Sequence, residues 1–136
     1  MAIDVESAVA ARLAAASVGT LGTDMFISPI QPVSSIFPAS CLFVQESDGY
    51  MPLSYLGVGN IFRRVLVEVH VRGPKRRTAK LLANEALLAL DHQDLSMAGF
   101  IWCKAMTARA IDNGPDSDKN YEFYFSVEVA FEETVP

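Results

Sequence analysis

Two stretches of strict alternation dominate the chain. In Ile61–Arg72, Val65, Val67, Val69 and Val71 point one way, while Leu66, Glu68, His70 and Arg72 point the other. In Tyr121–Glu132, Tyr121, Phe123, Phe125, Val127, Val129 and Phe131 form one face, opposed by Glu122, Tyr124, Ser126, Glu128 and Glu132. A period of two is the geometry of a strand. An apolar face backed by a mixed one predicts a sheet with one side buried and the other partly wet. Cys41–Glu46 and Phe100–Ile111 read as two further strands. Helical spacing appears twice. Over Ile3–Val18, Val5, Val9, Leu13 and Ala16 share a stripe, with Asp4 placed to cap the start and Gly19 to close the end in the left-handed conformation. From Pro74, which suits a first helical position, to Leu90, the residues Ala79, Leu82, Ala83, Ala86, Leu87 and Leu90 fall on one arc roughly 140° wide. Leu81 and Leu88 fall on the opposite side.

Between these elements lie the punctuating residues. Pro29, Pro32 and Pro38 make Thr20–Ser40 an extended connector, with room for a short strand at Met25–Ile27. Ser47–Asn60 has turn residues (Gly49, Pro52, Gly57, Gly59) interleaved with Tyr50, Met51, Leu53, Tyr55, Leu56 and Val58. It reads as a loop or protruding hairpin, either a flap on its own domain or an arm reaching a neighbour. Asp112–Asp118 is a turn. The expected fold class is therefore α+β. It consists of one domain over residues 1–136, with a layer of about four mostly antiparallel strands, two helices packed on it, and residues 47–60 as a protruding arm.

Composition sharpens this picture. With 51% apolar and 20% charged residues the chain is globular rather than disordered. A mean hydropathy of +0.24 is high enough to suggest apolar surface facing another protein. Cys41 and Cys103 lie too far apart in sequence for a C-x-x-C metal or redox motif and read as buried thiols of a reducing compartment. Asp4 and Glu6 stand where a signal peptide needs positive charge, and no apolar run approaches the length of a membrane span, so no membrane partner is expected.

The net charge of −5 conceals a segregation. Arg63, Arg64, Arg72, Lys75, Arg76, Arg77 and Lys80 face a single acid, Glu68, in their segment. Asp112, Asp116, Asp118, Glu122, Glu128, Glu132 and Glu133 face only Lys119 in theirs. Lys75, Arg76 and Arg77 also crowd a helix start, where unpaired backbone N–H groups already carry positive charge. Such a cluster is solvated, internally paired or bound to another protein. Phosphate contact is the weaker reading, because the chain is acidic overall and no aromatics interleave with the cations as a stacking platform. Arg12, close to the apolar stripe of the first helix, either lays its stem along apolar surface or contacts another subunit.

Nothing converges into a catalytic constellation. His70 sits on a strand, and His92 lies in Asp91–Asp94 just past a helix end, an ordinary place for a cation. Cys103 has no base placed near it by the sequence. Gly57–Asn60 precedes a strand rather than a helix, the wrong context for a phosphate loop. The expectation is a non-enzyme without cofactor or metal.

In order along the chain, several segments resemble tail terminator (tail-completion) proteins of long-tailed bacteriophages, a group related to minor tail and neck proteins of the head–tail junction. They are the acid-capped helix Asp4–Val18, "GTDMF" (Gly22–Phe26) before a Pro-containing stretch, "CLFVQESDG" (Cys41–Gly49), "VLVEVHVRG" (Val65–Gly73) feeding a helix that ends "ALLAL" (Ala86–Leu90), and "IDNGPDSDKNYEFYFSVEV" (Ile111–Val129). Gly49-Tyr50 departs from the Gly-Gly pair frequent in that family. The resemblance implies a ring, usually a hexamer, that caps the tail tube, stops its elongation and meets the head connector, with DNA passing through the hole. The implied partners are the chain itself, the tail tube protein and the connector or neck proteins. The implied location is the virion, with assembly in the host cytoplasm. A ring needs two unlike complementary patches on each copy. The residues expected at those contacts are Arg63, Arg64, Arg72, Lys75, Arg76, Arg77, Leu81, Leu88, Asp112, Asp116, Asp118, Tyr50, Leu53 and Tyr55. The 112–118 turn is the first candidate for the acids that meet Lys75, Arg76 and Arg77 across a subunit boundary. Two other readings stay open: a head-completion adaptor of the same neck, and a small ligand-binding or catalytic domain with a pocket under residues 47–60.

Overall fold

The computed structural model describes residues 4–27, 40–49, 53–54, 59–91, 100–115 and 119–134. Its elements in chain order are α1 (Val5–Ala15), β1 (Met25–Ile27), β2 (Cys41–Gly49), β3 (Leu53–Ser54), β4 (Asn60–Gly73), α2 (Arg76–Leu90), β5 (Phe100–Ala105), β6 (Ile111–Pro115) and β7 (Tyr121–Thr134). The two alternating segments of the sequence pair with each other. β4 and β7 run antiparallel through fourteen consecutive residue pairs, from Asn60↔Thr134 to Gly73↔Tyr121. β2 lies antiparallel on the other edge of β4, and β1 extends the sheet in parallel beside β2. β5 and β6 share the far edge of β7, and β3 pairs with the first residues of β4.

The architecture is the expected α+β layer, with a mixed sheet of seven strands where about four were expected. Part of the difference comes from Phe100–Ile111, which is not one strand. Past Ala105 and Met106 the chain leaves β7, and the Ala110 N–H goes to the Asn84 Oδ1 at 3.1 Å instead of to the ladder. Pairing resumes at Ile111↔Tyr124. β5 also carries a register shift at Ile101, and a bulge there with Lys104 exposed blunts this open edge against strand addition.

Both helices pack on the face that carries the apolar alternation. Val67, Val69, Val71, Phe123, Phe125, Val127, Val129 and Phe131 of the central pair meet Val5, Val9 and Leu13 of α1 and Ala79, Ala83, Ala86, Leu87 and Leu90 of α2 in one buried cluster. Burying each large side chain contributes about 1.5–3 kcal/mol. The small residues on α2 let its axis approach the sheet closely, as does Gly73, where a Cβ would meet the Ala79 Cβ at 3.4 Å.

The helix ends refine the sequence expectations. Asp4 caps α1 as expected, accepting hydrogen bonds from the Ser7 backbone N–H (3.1 Å) and hydroxyl (2.8 Å). The left-handed residue closing α1 is Ser17 (φ 60°), not Gly19. The Val18 N–H reaches the Leu13 carbonyl and the Ser17 N–H the Ala14 carbonyl, each at 3.0 Å, a Schellman closure two residues early. Gly19 serves proximity instead, since a Cβ there would lie 3.3 Å from both Leu42 Cδ1 and Met25 Cβ. α2 begins at Arg76, so Pro74 lies outside it. Lys75 occupies the N-cap position without a side-chain cap, and no acid sits in the first turn. Arg12 of α1 donates from Nε to the Ala89 carbonyl at 3.1 Å, placing a cation at the C-terminal end of α2, where it is favoured.

Candidate functional site

The electrostatic problem at the start of α2 is answered in part from within the chain. Arg76 donates from Nε (3.2 Å) and Nη2 (2.9 Å) to Asp112 Oδ2 on β6, and its guanidinium lies over the Phe123 ring, 5.6 Å from the centroid. The other oxygen of Asp112 accepts the Gly114 N–H at 2.8 Å. That backbone bond, then the Arg76 bond, holds the Asp112 carboxyl below the usual carboxylate range. Arg76 and Asp112, both expected at a subunit boundary, thus meet within one copy.

The pair forms one wall of a groove of about 550 Å³ lined by Arg76, Lys80, Leu81, Asn84, Arg109, Ala110, Asp112 and Phe123. Arg109, which the sequence reading did not single out, enters through the irregular stretch between β5 and β6. Among the described residues, Lys75, Arg77, Lys80 and Arg109 make no ion pair, and all four are exposed. Leu81 (52% exposed) forms the groove's apolar rim, and Leu88 (68% exposed) lies two turns further along α2, both on the outer side as the spacing indicated.

The remaining cations of the basic segment are elsewhere. Arg63 pairs with Glu133, and Arg64 Nη1 approaches Glu128 Oε1 at 3.6 Å. These lie about 30 Å along β4 from Arg72, at 3.3 Å per residue. Contiguous in sequence, the basic run therefore occupies two separate places. Arg72 lies in register between Cys41 and Glu122 on the face away from the helices. Burial pushes the Cys41 thiol up, opposed by Arg72, and burial pushes Cys103 up to about 12. Asp116, Asp118, Tyr50, Tyr55 and His92 lie outside the described residues. Leu53 is described only through its backbone, paired with Phe62.

The face away from the helices carries two polar arrangements. Phe26, Phe43, His70 and Tyr124 form a transverse row across β1, β2, β4 and β7, with His70 and Tyr124 stacked at 5.7 Å. The His70 Nδ1 lies 2.9 Å from Glu122 and its Nε2 3.3 Å from Glu68. The Glu122 bond, with Glu68 assisting against burial, raises the imidazole pKa above its usual value. Further along, Glu128 is only 4% exposed and accepts the Trp102 Nε1–H at 3.1 Å, with Lys104 Nζ at 3.4 Å. The alternation of β7 placed Glu128 on the wetter face but carried no signal that this position would be covered.

An acidic cluster lies at the start of α1. Glu6 Oε2 accepts the Glu46 N–H of β2 at 2.7 Å. Burial, followed by the nearby charges of Glu6, Asp4 and Glu133, pushes the Glu46 carboxyl up. Glu46 pairs with Val67, six residues before the end of β4 where the basic groove begins. The two charged regions are therefore about 20 Å apart along the strand direction.

What these features define is a one-sided α+β domain with unlike charged surfaces. Among the described residues no cluster of three or more His, Cys, Asp or Glu side chains is arranged to hold a metal. No family model and no curated protein matches the chain. Solved structures do. A chain from the virion of a native gene transfer agent particle is similar to it, with a TM-score of 0.61 and 18% identity, covering 95% of this chain and 95% of that one. At that identity the likeness is one of fold.

Proposed function

We propose that this chain is a structural virion protein of a phage-like particle, working as a ring at the head–tail junction that caps the tail tube, ends its elongation and joins it to the head connector. The observation that carries this reading is the end-to-end agreement of fold with a virion chain, 95% of each being covered. The ordered resemblance of Asp4–Val18, Cys41–Gly49, Val65–Gly73 and Ile111–Val129 to tail terminators supports the same assignment. The role is structural rather than catalytic. In keeping with it, both thiols are buried and shifted away from reactivity, and His70 is engaged by two glutamates. The partners are other copies of the chain, the tube and the connector, with DNA as transiting cargo.

The test is the mass of the purified protein in solution, with negative-stain images, followed by addition to uncapped tails and to unfilled heads. Closed rings in solution support the reading, and so does a ring that forms only once tube is added.

 Restored tail length control by the added protein is the expected result. Rescue of head completion instead would reassign it to the adaptor position, and a protein found only as single copies, in solution and in particles alike, would overturn the ring.

A further inference from the structure

Resting on that ring reading, we infer that the groove under the first turns of α2 receives the Glu6 and Glu46 carboxylates of a second copy of this chain, so that successive copies join head to tail. Asp112 already shows what the groove accepts: a carboxylate held by a guanidinium against an aromatic ring. With Arg76 so engaged, Lys80 and Arg109 still line the groove, and Lys75 and Arg77 stand beside it, none of the four within ion-pair distance of an acid among the described residues. Leu81 on the rim supplies apolar area for a protein partner.

The acids that complement these cations are at the start of α1 and on β2. There Glu6 accepts the Glu46 N–H, the charges of Glu6, Asp4 and Glu133 all act on the Glu46 carboxyl, and among the described residues Glu6 and Glu46 make no ion pair, whereas Glu133 pairs with Arg63. One copy cannot join its own two regions, because about 20 Å of β4 separates them. Contact between unlike patches on identical chains is heterologous, and it closes into a ring when its rotation closes. Nucleic acid is the less fitting occupant. The chain carries a net charge of −5, Asp112 sits inside the groove, and Phe123 is buried rather than offered for stacking.

The experiment compares the self-association of the full chain with that of Lys80→Glu/Arg109→Glu, of Glu46→Lys, and of the chain carrying all three changes, by sedimentation at about 0.05 and 0.5 M salt. None of the three side chains is buried, and circular dichroism melts check that each variant folds. Each single-pole variant is expected to associate at least about tenfold more weakly, with high salt weakening the parent chain in the same direction. The triple variant, whose poles are again complementary, is expected to recover. Rings that survive both single-pole variants would overturn this pairing while leaving the ring reading intact. Loss in the groove variant alone, or displacement of the second copy by a short DNA duplex, would also overturn it. A parent chain that never associates, even on tubes, would remove the ring reading and this inference together.

Discussion

Glu128 offers the most direct test of the packing on the face away from the helices. Its side chain is almost fully covered, yet it sits among Trp102 Nε1, Lys104 Nζ and Arg64 Nη1 at 3.1, 3.4 and 3.6 Å. Replacing it with Ala strands the indole N–H, at a cost of about 1–3 kcal/mol for an unsatisfied buried donor. The lost side-chain packing adds about 1 kcal/mol. The two cations contribute little more, because their side chains are 37% and 47% exposed and water replaces the carboxylate around them. The total for Glu128→Ala is therefore about 2–4 kcal/mol. Glu128→Gln keeps the volume and an acceptor for Trp102, so its cost is about 0.5–1 kcal/mol. Urea unfolding followed by tryptophan fluorescence reads the site directly, since Trp102 is the only tryptophan in the chain. A double-mutant cycle with Trp102→Phe, followed by circular dichroism, isolates the hydrogen bond, with an expected coupling of about 1 kcal/mol. If Gln costs as much as Ala, charge rather than the indole bond holds this cluster. If both cost less than about 0.5 kcal/mol, the burial argued here is wrong.

Three further outcomes follow from the fold. Ser17→Gly should stabilise the protein by about 0.5–1 kcal/mol, because glycine takes the left-handed position without the Cβ penalty; a lower Tm would show that Ser17 holds something the closure does not explain. The His70 pKa is raised in the folded state, so its contribution is full below the unfolded value of about 6.5 and is lost as pH rises through the folded value. Urea midpoints measured from below to above neutral pH should therefore fall more steeply in the parent chain than in His70→Gln, and identical slopes would refute the role given to Glu122 and Glu68. Leu90→Ala, at a fully buried position between α2 and the sheet, should cost about 2–5 kcal/mol by equilibrium unfolding, and a loss below about 1 kcal/mol would mean that α2 is not seated as described.

What could be read from the sequence was what a period records. The alternation of Val65–Val71 and Tyr121–Phe131 identified the buried face of β4 and β7, and helical spacing identified the buried side of α2 and its two exposed leucines. Those patterns reflect one residue's relation to its own element. Features that depend on a second element left no such trace. Asn84 looks like an ordinary polar residue on α2, and only the path of the chain past Ala105 turns it into the acceptor that divides β5 from β6. Arg12 supports two readings from its position in α1, and only the end of α2 beside it shows that its guanidinium meets the Ala89 carbonyl. The expectation for Gly19 failed because a glycine can serve either a left-handed turn or a close approach, and the sequence does not distinguish them. The charge clusters were legible as segments but not as surfaces. A strand fourteen residues long carries its first and last cations to opposite ends of the sheet.

The placement of charge separates what holds this fold together from what its surface can recognise. The buried cluster draws on both helices and the central strands, and of the residues lining the α2 groove it contains Phe123, with Ala110 packed against its margin. The groove's pair, Arg76 and Asp112, has side chains 53% and 39% exposed, so water and salt compete for it and it adds little to stability. Cations at a helix start are likewise unfavourable for the isolated helix. A sequence under pressure for stability alone would exchange Lys75 or Arg77 for an acid at that position. Charge placed there can act instead outside the folded chain, where opposite poles speed encounter and fix register without needing to contribute to folding. That separation makes charge reversal informative: Lys80, Arg109 and Glu46 are exposed and lie outside the buried cluster, so their reversal tests recognition while leaving the fold in place.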